Sequence, residues 1–143
     1  LKDLDVVGAS VHSSFNLPKI EQTSRIIKAM ENENIDILFH PTGRLIQERE
    51  PYDVDIEKII QTAKDTGTLL EINAFPKRLD LKDEHIKLAV KAGVKLAIDS
   101  DAHNKNQIHY LEFGIAQARR GWVEAKDVVN TRELKDFLKI LKH

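Results

Sequence analysis

The sequence predicts an α/β fold in which parallel strands alternate with helices, and three observations carry that prediction. Short apolar runs of strand length alternate with segments whose apolar residues recur at helical spacing. The links between them are short, which for strand–helix–strand units implies parallel strands joined by right-handed crossovers. Three of the apolar runs also end in the same chemistry: Leu4–Val11 leads into His12, Ile35–Phe39 into His40, and Val94–Ile98 into Asp99-Ser-Asp-Ala-His103. The carboxyl end of a parallel strand is where such folds place their ligands.

The first strand is expected at residues 5–11. Pro18 then opens a helix carrying Ile20, Ile26, Ile27 and Met30 at helical spacing, since proline is tolerated at a helix start. The second strand, 36–39, ends at His40 and passes into a polar loop from Pro41 to Pro51. A second helix carries Ile56, Ile59, Ile60 and Ala63 and stops at Gly67, which suits the left-handed position after a helix. Strand three covers 68–73 with less regular alternation, followed by the turn-rich Ala74-Phe-Pro-Lys-Arg78. Asp83 is expected to cap a third helix with Ile86, Ala89 and Val90 on one side, ending at Gly93 before strand four at 94–98. Two last helices are expected, from Gln107 to Arg120 and from Asn130 to Leu141, the second opened by Asn130 with Glu133 three residues on. Phe137, Leu138 and Leu141 share a face of it, so the lysines between Lys135 and Lys142 describe a packed helix before they describe a nucleic-acid surface. Four strands are too few for a barrel, which typically needs about eight. Half a barrel and a small open sheet both remain open; in the first case terminal strands leave unpaired backbone, and self-association of the piece follows as a risk.

Composition bounds the function. A length of 143 residues with 41% hydrophobic content suits one compact domain. A net charge of −1 with 31% charged residues gives a mixed surface, without the basic excess that would argue for nucleic acid by electrostatics alone. The absence of cysteine excludes disulfides and thiolate metal sites, so a transition metal would use His, Asp and Glu. No run approaches the roughly 18 to 20 apolar residues of a membrane span, and the start lacks the order of a signal peptide. A cytoplasmic protein with no membrane partner is expected. The chain opens on Leu1 and enters a strand pattern within a few residues, which suggests an internal segment of a longer protein.

His12, His40, Asp101 and His103 are the candidate metal ligands. Asp101 and His103 are two apart and share a face if the backbone is extended. A single histidine at a strand end is more often a hydrogen-bonded residue than a ligand, whereas three strand ends with the same chemistry favour a metal. Glu71 is open between a partner behind the ligands and a lysine-paired packing residue. Asn73 is read as holding loop backbone, Asp99 as finishing its strand, and His85, His109 and His143 as solvated.

These residues resemble a known family. Val7-Gly-Ala-Ser-Val-His12-Ser-Ser-Phe15, His40-Pro-Thr-Gly-Arg44, Leu70-Glu-Ile-Asn73 and Asp99-Ser-Asp-Ala-His103 are similar to the later motifs of the polymerase and histidinol phosphatase (PHP) domain. With Arg78-Leu-Asp-Leu81 and Gly121-Trp122, the resemblance covers essentially the whole chain and is closest to the version at the carboxyl end of bacterial and archaeal family X DNA polymerases. It implies that residues 1–143 are the C-terminal portion of a distorted seven-stranded β/α barrel with a three-metal centre. It also implies that His12 and His40 bind one ion, Asp101 a second and His103 a third, the remaining ligands preceding Leu1. At Phe75 the sequence departs from the resemblance, which has asparagine before the proline.

Clustered divalent ions suit phosphoester hydrolysis because they acidify water and clamp phosphate oxygens. Imidazole with carboxylate suits Mn²⁺ or Zn²⁺, and carboxylate alone leans to Mg²⁺. Arg44, Lys77 and Arg78 are candidates for orienting a phosphate, the arginines through their planar forks. The resemblance implies a 3′ to 5′ exonuclease or 3′-end processing phosphoesterase in DNA repair, with a polymerase domain in the same parent and DNA held mainly by other domains. The alternatives are a small-molecule phosphatase of the histidinol phosphate type and a noncatalytic structural domain. With about half of the ligands, the 143 residues alone are expected to hydrolyse little and to bind metal weakly.

Overall fold

The computed structural model describes Leu1 and residues 3–142; the expectation for His143 lies outside the described residues. Four short strands form one parallel sheet, β1 (Gly8–Ala9), β2 (Ile37–Leu38), β3 (Leu69–Asn73) and β4 (Leu96–Asp99), in the order β1-β2-β3-β4. Gly8 lies opposite Ile37, Ile37 opposite Leu69 and Leu70 opposite Leu96. Each strand therefore pairs with the next in sequence, without the reversal of order that makes a switch point in doubly wound sheets. The expected α/β class, with parallel strands alternating with helices, is the observed one.

Three helices, α1 (Lys19–Met30), α2 (Ile56–Thr66) and α3 (Asp83–Ala92), make the crossovers, and α4 (Leu111–Arg120) and α5 (Leu134–Leu138) follow the last strand. Strand alternation gives the sheet two faces. Leu38, Leu70, Ile72, Leu96 and Ile98 pack with Ile26, Met30, Ile59, Ile60, Ala63, Ile86, Ala89 and Ala118, which makes the larger core. The opposite face carries Ile37, Leu69 and Ala97, covered by Val129, Phe137, Ile140 and Leu141. At that end the buried Asp36 carboxylate accepts from the Val7 and Lys142 backbone N–H groups at 2.9 and 3.1 Å, joining the first strand to the last residues.

Several expected boundaries change. The first and second strands shorten to Gly8–Ala9 and Ile37–Leu38, and the fourth begins at Leu96 and includes Asp99. In α1, Ile20 is 83% exposed while Gln22, Thr23, Ile26 and Met30 are buried. The helix is turned so that the Thr23 hydroxyl accepts from the Asp55 N–H at 2.9 Å, while Asp55 in turn caps α2 by accepting from Lys58 N at 3.2 Å. Asp83 lies inside the first turn of α3, not at its cap: Lys82 holds the cap position without a side-chain bond, and Asp83 pairs with Arg120 at 3.1 Å. Gly67 and Gly93 end α2 and α3 in left-handed backbone, at φ 74° and 87°, as their placement implies.

The final helices differ most. A 3-10 turn at Lys105–Tyr110, entered through the Asn104 side chain accepting from Asn106 N, precedes α4. Asn130 opens no long helix. It sits in a 3-10 turn at Val129–Thr131, and its amide accepts from Ile98 N at 2.7 Å and donates to Ile98 O at 3.1 Å, completing the outer edge of β4. The helix beyond it is only α5, and Ile140, not Leu138, joins Phe137 and Leu141 on the sheet. Among the described residues, no helix is long and apolar enough to cross a membrane.

Candidate metal centre

Following the small sheet face toward the carboxyl ends of its strands, the apolar residues give way to polar ones. There Ser10, His12, Phe39, His40, Glu71, Asp99 and Asp101 line a cleft of about 330 Å³. Period two accounts for most of them: Ser10 and His12 extend the line of Gly8, Phe39 that of Ile37, Glu71 that of Leu69, and Asp99 that of Ala97. His40 does not follow, because alternation would send it with Leu38 into the helix-packed core. Its backbone is left-handed at φ 31°, so the adjacent Phe39 and His40 both line the cleft. Asp101 is left-handed as well, at φ 52°. Such conformations are costly for residues other than glycine and cluster where function over-determines the backbone.

The left-handed Asp101 also overturns the extended geometry expected from Asp101 to His103. The His103 ring turns onto the Asp101 carbonyl, donating from Nδ1 at 2.8 Å, and the residue is exposed at the rim, not among those lining the cleft. A carbonyl only accepts, so Nδ1 carries a proton, and Nε2 is the ring nitrogen left for a ligand, the arrangement common in metal-binding histidines.

Inside the cleft the His12 and His40 rings meet edge to face at 5.2 Å, and His12 Nε2 lies 2.6 Å from Ser10 Oγ. Burial, then Arg78 and His12, lowers the pKa of His40 to about 4, so the imidazole is neutral near pH 7. Burial raises Glu71 to about 9, against the His40 N–H and Asn73 amide that donate to its carboxylate; the nearby Asp99 pushes it further up. Glu71 thus stands behind His40, and among the described residues it pairs with no lysine. Burial, then Asp101, also raises Asp99. Three carboxyl groups share this cleft, and the cation reaching them is Arg78, whose Nε lies 3.3 Å from Asp101.

Two polar atoms of cleft-lining residues, His40 Nδ1 and Asp99 Oδ2, are buried without a hydrogen-bond partner. An unpartnered neutral imidazole and carboxyl group, in a place where burial disfavours carboxylate charge, are of the donor types that suit a divalent cation. Among the described residues, no group of three or more His, Asp or Glu side chains is placed so that together they could hold a metal ion.

The phosphate candidates separate. Arg78 reaches the cleft, and its Nη1 is buried without a hydrogen-bond partner. Arg44 donates from Nε to Arg78 O at 2.7 Å and from Nη2 to Leu79 O, and it borders a second cavity of about 450 Å³ with Lys82, Phe113 and Arg120. Lys77 is exposed and paired with Glu48. Asn73 holds the loop as expected, accepting from Phe75 N at 3.0 Å. His109 is exposed, whereas His85 is not the solvated residue expected: it is half-buried, its Nδ1 lacks a partner, and burial followed by Lys82 lowers its pKa. Sequence reasoning gave Ser10 and Phe39 no role and left Asp99 at the strand end; stepping back two residues from His12 and Asp101 would have found Ser10 and Asp99.

No family model matches the chain. Known relatives do. The chain is 46% identical over 142 residues to the DNA polymerase/3′-5′ exonuclease PolX of Bacillus subtilis, a match covering 99% of this chain and 25% of that protein. It is 33% identical over 150 residues to a probable phosphatase of Thermoanaerobacter sp. strain X514, covering 97% of this chain and 59% of that protein. A probable phosphatase of Caldicellulosiruptor saccharolyticus is 36% identical over 149 residues, again over 59% of its length. The chain therefore spans about a quarter of the polymerase and about three-fifths of these phosphatases. Similarity along nearly all of this chain makes it homologous to part of a polymerase/exonuclease and to part of proteins named as phosphatases. These names share phosphoester chemistry.

Proposed function

We propose that this chain is the C-terminal part of a PHP-type phosphoesterase domain in a family X DNA polymerase, removing nucleotides from DNA 3′ ends with divalent metal. The observation that carries the reading is the cleft, where His12, His40, Asp99 and Asp101 gather at strand ends with unpartnered polar atoms on His40 and Asp99. The 46% identity to a polymerase/exonuclease over 142 residues supports the choice of parent, and the consecutive strand order is compatible with a barrel wall.

His12, His40, Asp101 and His103 would hold Mn²⁺ or Zn²⁺, with Asp99 as an added carboxylate. Bound there, such ions would acidify water and neutralise charge on phosphate oxygens. His40 enters as a neutral imidazole, the form that ligates, and Glu71 fixes its backbone from behind. Arg78 Nη1 offers an unengaged donor to a phosphate oxygen, and Asn73 keeps the Phe75–Leu79 loop against β3.

The experiment is manganese-dependent release of nucleotides from a labelled 3′ end by the natural protein that carries this chain, beside His40→Ala and Asp101→Ala. Loss in both variants, with polymerisation retained, is expected; undiminished release removes the assignment. The similarity to probable phosphatases favours a second reading, hydrolysis of a small phosphomonoester. Higher kcat/KM on histidinol phosphate than on a DNA 3′ end would select it.

A further inference from the structure

An aromatic path runs along the rim beside the cleft. Phe75 meets His103 edge to face at 6.2 Å and Tyr110 at 5.5 Å, and Tyr110 meets Phe113 at 5.9 Å. None of Phe75, Tyr110 or Phe113 belongs to either hydrophobic core, and Phe113 is 44% exposed. Large rings left outside the core of a small domain call for an occupant.

The two ends of the path name its chemistry. At the cleft end, the Phe75 N–H is held by Asn73, whose amide also donates to Glu71 in the cleft wall at 3.3 Å. Phe75 O accepts from Arg78 N at 2.7 Å, so one tight turn carries a ring and the guanidinium that reaches Asp101. A ring for a base and a cation for its phosphate, on the same turn, match one nucleotide. At the far end, Phe113 borders the second cavity with Arg44, Lys82 and Arg120; Arg120 pairs with Asp83 and Lys82 with Glu84, while Arg44 is held by the neutral Arg78 and Leu79 carbonyls and keeps its charge. Positive charge beside rings that are exposed, as Phe113 is, or partly exposed, as Phe75 and Tyr110 are, is the combination that binds single strands, because stacking is indifferent to sequence while the cations follow the backbone.

We propose that Phe75, Tyr110 and Phe113 form a stacking path for the bases of a single nucleic-acid strand, guiding its 3′ end from the Arg44–Lys82–Arg120 cavity into the cleft. This rests on the phosphoesterase reading above and deepens it by naming what positions the strand. The rings supply orientation, and a small aliphatic phosphoester gains nothing from them.

The test uses Phe75→Ala and Phe113→Ala, with Phe75→Trp and Phe113→Trp as aromatic replacements, in the natural protein. Binding of a fluorescein-labelled single-stranded oligothymidylate is followed by anisotropy in EDTA, and kcat/KM is measured in Mn²⁺ on the same oligonucleotide and on glycerol 3-phosphate. Each Ala variant is expected to weaken oligonucleotide binding by roughly fivefold or more, with Trp restoring it. The ratio of oligonucleotide to glycerol 3-phosphate kcat/KM is expected to fall by a similar factor, mainly through KM. Wild-type binding in all variants, or an equal loss on both substrates, overturns the path, including in favour of an apolar protein partner on these rings. Hydrolysis of neither substrate by the wild type refutes the phosphoesterase reading alone, and the anisotropy arm still decides the path. Phe113 is exposed, so its substitution keeps the test valid should Phe75→Ala fail to fold.

Discussion

Replacing Glu71 by Gln stabilises the metal-free protein at neutral pH. In the fold, the Glu71 carboxyl is buried among Asp99, Asp101 and backbone, which raises its pKa from 4.5 to about 9. Between those values the folded state holds a proton that the unfolded state releases. The contribution of Glu71 is therefore complete below pH 4.5 and is lost as pH rises toward 9. At roughly 1.4 kcal/mol per pH unit the loss at pH 7 is about 3 kcal/mol, and water entering the open cleft reduces it to about 1–3 kcal/mol. Glutamine keeps an oxygen to accept from His40 N and carries no charge to desolvate. The assay is urea denaturation of wild type and Glu71→Gln in EDTA at pH 5 and pH 8. Subtracting the two proteins at each pH removes the opposing contribution of His40, whose depressed pKa lowers stability as pH falls from 6.5 toward 4. The variant is expected to match the wild type near pH 5 and to gain on the order of 1 M in urea midpoint at pH 8, for a slope of about 1–3 kcal/mol per molar. A variant no more stable at pH 8, or an equal gain at both pH values, refutes the burial argument. Added Mn²⁺ should close the gap, since a cation stabilises the Glu71 carboxylate and gives no such benefit to the amide.

Other perturbations follow from the same geometry. Asn130→Ala leaves Ile98 N–H and C=O without their amide partner and should cost about 1–3 kcal/mol, with faster hydrogen exchange at the Ile98 amide as its local signature. In Gly8→Ala the new Cβ would lie 1.9 Å from the Phe39 ring, so about 1–3 kcal/mol of overpacking is expected in thermal unfolding, together with a displaced Phe39 in the cleft. Arg44→Ala removes the fork that holds the Arg78 and Leu79 carbonyls; a loss of about 1–3 kcal/mol in denaturant unfolding is expected, and unchanged stability would assign Arg44 to ligand binding alone.

What was legible in the sequence was what period and punctuation encode. The α/β alternation, the existence of four strands, the stops at Gly67 and Gly93 and the close of the fourth strand at Asp99 all follow from apolar spacing or from glycine's freedom at positive φ. Less was legible where side chains replace backbone. Asn130 looks like a helix cap because asparagine is a good one, yet here its two-headed amide serves as the outer partner of β4. Gln22 takes the buried place on α1 that Ile20 would claim, because the adjacent Thr23 reaches Asp55. His103 leaves the line of Asp101 because no local pattern announces a left-handed aspartate.

The site and the smaller core share one sheet face, and this division explains why the site sits where it does. Ile37, Leu69 and Ala97 bury against Phe137, Ile140 and Leu141, which excludes water from one half and fixes the register of β2, β3 and β4. Two residues further along the same lines of the sheet face, Phe39, Glu71 and Asp99 line the cleft, Phe39 also touching the smaller core. Their orientation is set by the buried half, since shifting any strand by one residue would exchange the carboxyls with Leu70, Ile72 or Ile98 in the main core. The hydrophobic half thus holds the acidic half in place at the cost of carboxyl groups that burial makes hard to ionise. That tension is relieved by a cation, and Arg78 supplies one only to Asp101, leaving Glu71 and Asp99 as the groups with most to gain from a metal.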